Sequence, residues 1–290
     1  MVLLSDLPPG DRSTRAPIAP LAILVLVLAA CSGGGTAPAA SGPASSPPNV
    51  STAALSGAIT IYGASSLKAA LTAAQAAFLT ANPGLTITIS TDSSTTLETQ
   101  IEQGAPADAF LSADTTNPAK LVTEDLAAGP PLNFAGNLLT VIVPTANPAG
   151  IASPADLARS GVKVIAAGAT VPITKYATML VADLAREPGY PAGFAAAYGA
   201  NIVSKEDNVA AVVAKIELGE GDAAIVYVTD ARTSTKVTTI SVPADANVPA
   251  TYAGVVVKAS KNSAAQAFLT WFAGPAGQAI LASFGFLPPS

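Results

Sequence analysis

The chain has 290 residues, with 14 Lys+Arg against 19 Asp+Glu, a net charge of −5 and no histidine. Without histidine there is no Ser-His-Asp triad, no Cys-His dyad and little means of building a zinc site. The acidic balance, with no basic run, excludes the phosphate footprint of a nucleic-acid binder.

Half of the residues are hydrophobic and only 5% are aromatic, so any core is made of Ala, Val, Leu and Ile. The length suits one large domain or two lobes. At the N-terminus, Arg12 and Arg15 precede an apolar run, Leu21–Ala30. That run has the length of a signal-peptide core and falls short of the roughly 20 residues of a membrane span. It ends in Leu28-Ala29-Ala30-Cys31, which resembles the bacterial lipobox. The resemblance implies that residues 1–30 are a lipoprotein signal peptide and that Cys31, the single cysteine, carries lipid. Residues 31–56 are almost wholly Gly, Ala, Ser, Pro, Thr and Asn, and no charged residue lies between Arg15 and Lys68. Such a stretch buries too little apolar surface to order itself and reads as a flexible tether.

A strand is expected over Ala58–Tyr62, and then a helix with Leu67, Leu71, Ala74 and Phe78 on one face, stopped by Asn82-Pro83-Gly84. Leu85–Ser90 alternates as a strand does. Thr95 to Glu98 fits a capping box for a helix carrying Leu97 and Ile101. Ala109–Ser112 and Leu138–Val143 read as strands, as does Val162–Ala166. Helices follow over Lys175–Ala185 and Val209–Leu218, with a strand over Ala223–Val228. Alternating strands and helices imply an α/β fold with mostly parallel sheets, and two such blocks suggest two lobes. A ligand would sit where strand ends meet helix starts.

Several segments together resemble one family, the molybdate-binding proteins of ABC importers. They are Tyr62 to Leu67 (YGASSL), Ser90 to Leu97 (STDSSTTL), Ile101 to Asp114 (IEQGAPADAFLSAD), Val171 to Ile173 with Tyr176-Ala177, Gly221 to Ala231 (GDAAIVYVTDA), and Phe284 to Pro288 (FGFLP). The resemblance runs from Ala58 almost to the C-terminus. It implies the two-lobed, type II periplasmic-binding-protein fold, with residues 57–138 and 241–290 in one lobe and 139–240 in the other. It also implies an oxyanion ligand, molybdate or tungstate, held without a cofactor, and delivery to an importer's permease and ATPase by a monomer anchored through Cys31. The implied ligands are the hydroxyls and amides of Ser66 and Ser94, the backbone amides of Ile173 and Val209, and the hydroxyl of Tyr227. Ser65 falls outside that set. Thr174 stands where the family often has glycine, and the segment between Lys175 and Val209 is longer than in short family members.

These residue types suit an anion. Helix N-termini offer free N–H groups and about half a unit of positive charge, and serine both caps a helix and turns a hydroxyl donor outward. Lys68 is expected to be solvated, and Asp108 and Asp114 to cap loops or helices. Sulfate and phosphate are alternative ligands of the same shape. Iron receptors of this fold commonly use adjacent tyrosines, whereas Tyr227 is followed by Val228. Ser65 and Lys68 also spell the S-x-x-K of acylating serine enzymes, but the companion S-D-N and K-T-G strings are absent.

Overall fold

A computed structural model describes residues 54–289; the expected signal peptide, Cys31 and nearly all of the expected tether lie outside them. The chain runs through β1 (Gly57–Ala64), α1 (Lys68–Ala81), β2 (Leu85–Asp92), α2 (Ser94–Glu102), β3 (Ala109–Ser112), α3 (Thr116–Thr123) and β4 (Leu132–Asn137). It continues with β5 (Leu139–Pro144), β6 (Val164–Ala167), α4 (Pro172–Leu184), α5 (Phe194–Ala200), β7 (Ile202–Glu206), α6 (Val209–Glu217), β8 (Ala224–Tyr227), α7 (Val228–Arg232) and β9 (Val237–Ile240). It closes with β10 (Ala250–Val256), α8 (Ala264–Ala273) and α9 (Pro275–Ser283).

The strands form a five-stranded sheet in the order β2-β1-β3-β10-β4, a three-stranded sheet β8-β5-β9, and the pair β6-β7. A parallel bridge from Val164 to Ala223 joins that pair to the start of β8. Pairing is parallel where a helix crosses over, as in β1 with β2 and β3 and in β6 with β7, and antiparallel where β10, β8 and β9 return. The chain leaves the large sheet at Asn137 and comes back to it at Ala250.

The two connections between the sheets are stitched together. Asn247, on the way back, accepts from the Leu139 N–H at 3.0 Å and donates to the Leu139 carbonyl at 2.8 Å, as a strand neighbour would. Asn137 accepts from the Leu138 N–H at 2.9 Å.

The scarce aromatics gather on the large sheet. Phe78 of α1 meets Phe268 edge-on at 5.2 Å and Trp271 at 5.1 Å, both on α8. Phe134, Phe272 and Tyr252 extend the same cluster. Elsewhere the core relies on close approach. A Cβ on Gly63 would lie 2.3 Å from Leu71 Cδ1, so glycine lets α1 settle directly against β1. That contact fixes the turn between them, Ser65–Leu67.

The capping box expected at Thr95 is not there. α2 begins two residues earlier, at Ser94, with Ser93 as its N-cap. Thr95 instead donates to the Thr170 carbonyl at 2.7 Å, reaching across to the loop before α4. Glu98 is buried against Lys120 of α3 at 3.0 Å rather than capping. α4 starts at Pro172, three residues before the expected Lys175, because proline suits the first helical position. Asp114 does cap, accepting from the Asn117 N–H at 3.1 Å at the start of α3, whereas Asp108 accepts from the Thr60 N–H of β1 at 2.7 Å and so ties β1 to the approach to β3.

Candidate ligand-binding site

Four strands end beside one another, and each runs into a helix. β1 passes through Ser65 and Ser66 into α1, β2 through Ser93 into α2, and β6 through a short loop into α4. β8 ends on Tyr227, which opens α7. Their ends enclose a cavity of about 10 Å³, lined by Ser66, Ser93, Ser94, Ile173, Tyr227 and Asp92 among others. Four of the five expected ligands therefore meet in one place. Val209 is not on that wall, although its neighbour Asn208 donates to Asp92 Oδ1 at 2.9 Å. Ser65, placed outside the site by the resemblance, does line the cavity.

The donors are held in different ways. Ser66 Oγ lies 3.0 Å from the Tyr252 hydroxyl. Tyr252 also accepts from Asn137 Nδ2 at 3.3 Å. A phenol that accepts from an amide still has its own hydrogen to give, so Tyr252 can donate to Ser66 and leave the Ser66 hydrogen pointing elsewhere. Ser94 Oγ accepts from the Ala113 N–H at 3.0 Å, which likewise leaves its hydrogen unspent. Ile173 is the second residue of α4, where a backbone N–H has no partner within the helix. Thr174, in place of the family's glycine, donates to the carbonyls of Ala167 and Gly168 at 3.1 and 2.8 Å and so tightens the loop that presents Ile173. The extra length between Lys175 and Val209 contains α5.

Tyr227 is 1% exposed, and its hydroxyl has no hydrogen-bond partner. Its ring packs edge-on to Tyr252 at 5.6 Å and to Tyr176 at 6.3 Å. Burial pushes the Tyr227 and Tyr252 phenols well above their ordinary range and Tyr176 to about 12. All three stay neutral and keep their hydrogens. A buried hydroxyl left unpaired costs about 1–3 kcal/mol, so an orphan of this kind marks a place where something else supplies the acceptor.

Among the described residues, no Lys or Arg lines the cavity. Its one charged residue, Asp92, is turned to structural use: Oδ1 accepts from the Ser93 N–H at 2.7 Å as well as from Asn208. What such a wall offers an anion is neutral hydrogen-bond donors and helix ends alone. Lys68 is exposed at the start of α1, and among the described residues no hydrogen bond joins it to Ser65. A larger groove, of about 530 Å³, lies between α1 and the helices α6 and α7; Ser66 borders it as well, and Lys68, Glu217 and Asp230 bring charge to its wall, but it has no orphaned donor among the described residues. The acidic group Glu98, Glu102 and Glu124 surrounds the Lys120 ammonium, which is ion-paired with all three. The sequence gives little sign of Ser93, Tyr252 or Asn137: a serine beside a serine, and two polar residues at strand positions.

Residues 59–287 match the family described as bacterial extracellular solute-binding protein. The chain belongs to that family. This solute-binding protein is 36% identical to the molybdate-binding protein ModA of Mycobacterium tuberculosis over 270 residues, which cover 92% of this chain and 95% of that one. A periplasmic molybdate-binding protein from Azotobacter vinelandii superposes on it with a TM-score of 0.67 at 23% identity, covering 80% of this chain and 100% of the other. The sulfate-binding protein SubI from M. tuberculosis superposes with a TM-score of 0.69 at 21% identity, covering 80% and 86%. At those identities the two structures speak for the fold, which is the two-lobed type II periplasmic-binding-protein fold. None of the solute-binding protein's described helices is long and apolar enough to cross a membrane.

Proposed function

We propose that this protein captures molybdate or tungstate outside the membrane and passes it to the permease and ATPase of an ABC importer. The observation that carries the proposal is the convergence of neutral donors, with the orphaned Tyr227 hydroxyl among them, on a wall without a cation. Ser66 and Ser94 donate through hydroxyl and amide, Ile173 through its amide, and Tyr227 through its phenol; Val209, the fifth expected donor, stands off the cavity wall and would have to approach for its amide to take part. The 36% identity to a molybdate-binding protein supports the choice of ligand. The protein acts by binding, not by catalysis, and works as a monomer whose lobes are residues 57–138 with 241–290, and 139–240.

The competing reading is a sulfate or phosphate receptor, which the superposition on SubI keeps in view. Size separates them, since a fixed ring of donors fits one radius best. Titration of the purified protein with molybdate, tungstate, sulfate and phosphate tests this. Molybdate and tungstate are expected to bind more tightly than sulfate by about 2–3 kcal/mol, the scale of one buried donor left without its acceptor. Equal affinity for sulfate would make the protein a general oxyanion receptor.

A lipid on Cys31, after removal of residues 1–30, would hold the protein at the membrane through the tether of residues 31–56. Cys31→Ser is then expected to release the protein into the medium or leave it unprocessed, as seen by fractionation and size. Retention at the membrane at the processed size would refute the anchor.

A further inference from the structure

We propose that Ser93 is a further donor to the bound oxyanion, beside Ser94. The inference rests on the oxyanion reading of the site. Ser93 is the N-cap of α2, and an N-cap serine ordinarily spends its hydroxyl on the N–H of the second or third helical residue. Here it does not: the helix has no side-chain cap bond. Yet Ser93 is only 3% exposed, and its Oγ is buried without a hydrogen-bond partner. Its other polar groups are committed, the N–H to Asp92 Oδ1 at 2.7 Å and the carbonyl to the Leu97 N–H at 3.0 Å.

The hydroxyl therefore serves neither helix nor solvent, and it belongs to a residue on the cavity wall. Ser93 Oγ and Tyr227 Oη are the two orphaned hydroxyls on that wall, one from the β2–α2 junction and one from the end of β8. A tetrahedral oxyanion has four acceptor oxygens and can answer both at once. The cap site also leaves the first N–H groups of α2 without a side-chain partner, so hydroxyl and helix end face the same charge.

The two roles of Ser93 predict opposite results. Full-length Ser93→Ala is titrated calorimetrically with sodium molybdate and melted without ligand. As a ligand donor, Ser93 loses tenfold or more in molybdate affinity when replaced, while the ligand-free melting temperature holds or rises, because a buried unpaired hydroxyl has gone. As a merely structural residue, it leaves affinity at the parent value whichever way the melting temperature moves, and that result overturns the inference. Ser93→Gly, which removes the hydroxyl without adding bulk and is itself an acceptable N-cap residue, is expected to lose affinity in the same way; parent-like binding by this variant would equally count against it. A parent protein that binds none of the four oxyanions would instead refute the site itself and this inference with it.

Discussion

Tyr227→Phe is expected to weaken molybdate binding by about tenfold or more without lowering the stability of the free protein. The ring contacts to Tyr176 and Tyr252 remain, and the hydroxyl that is removed has no partner in the protein. A hydrogen bond to a charged group is worth about 1.5–3 kcal/mol, which sets the size of the effect. Ser66→Ala and Ser94→Ala are expected to lose affinity by a similar factor but to differ in stability. Ser94→Ala removes the acceptor of the buried Ala113 N–H, so the free protein should also be weaker by about 1–3 kcal/mol. Ser66→Ala leaves Tyr252 with its bond from Asn137 and should cost less. Calorimetric titration and thermal melting of the three variants separate the effects. Parent-like affinity in all three would show that the anion is held elsewhere.

The unliganded protein is also expected to lose stability as pH rises from about 4 to 7, mainly through Asp230. Burial raises its carboxyl from the ordinary 3.8 to about 7, against a single backbone bond from the Tyr227 N–H at 3.3 Å. The folded form holds this proton more tightly than the unfolded chain. The stabilisation is therefore complete below the unfolded value and is lost as pH climbs through the folded one. At about 1.4 kcal/mol for each tenfold change in proton affinity, the span is roughly 4 kcal/mol. Asp230 borders the groove between α1 and α7, and water there reduces that figure. Asp230→Asn keeps the acceptor for Tyr227 and should remove most of the slope. Glu98, raised by burial from 4.5 to about 7, titrates in the same window and leaves a remainder. Denaturant midpoints at pH 4.5 and 7.5 measure both; an unchanged slope in Asp230→Asn would refute the assignment.

The elements that could be read from the sequence are those whose pattern and packing agree. LTITIS alternates and forms β2, AFLS is apolar up to its last residue, Ser112, and forms β3, and the Leu71, Ala74, Phe78 stripe of α1 is buried as spaced. β7 (IVSKE) and β9 (VTTI) carry few buried residues and owe their shape to their neighbours, so local pattern does not announce them. β10 (ATYAGVV) alternates poorly because both its faces are covered. At the site, Ser66, Ser94, Ile173 and Tyr227 stand out only through joint resemblance to a family; alone, each could be a cap or a core residue. What the sequence hides is which hydroxyls are already occupied. Ser93 and Ser94 are adjacent and identical in type, yet one accepts from Ala113 and the other has no partner, a difference set by residues 19 positions away.

The stitched crossings near Leu139 bear on how accurately the two halves can reassemble. A joint made of two separate chains could both bend and twist. Asn247 clasps the N–H and the carbonyl of Leu139 together, so the two passing segments move as one ribbon. A ribbon of this kind flexes about one axis and resists torsion. Leu139 is also the residue of β5 paired with Tyr227 of β8, so one asparagine side chain on the returning segment is tied to the strand neighbour of a donor. Lengthening or loosening that joint would blur discrimination between anions of neighbouring radius before it harmed the fold.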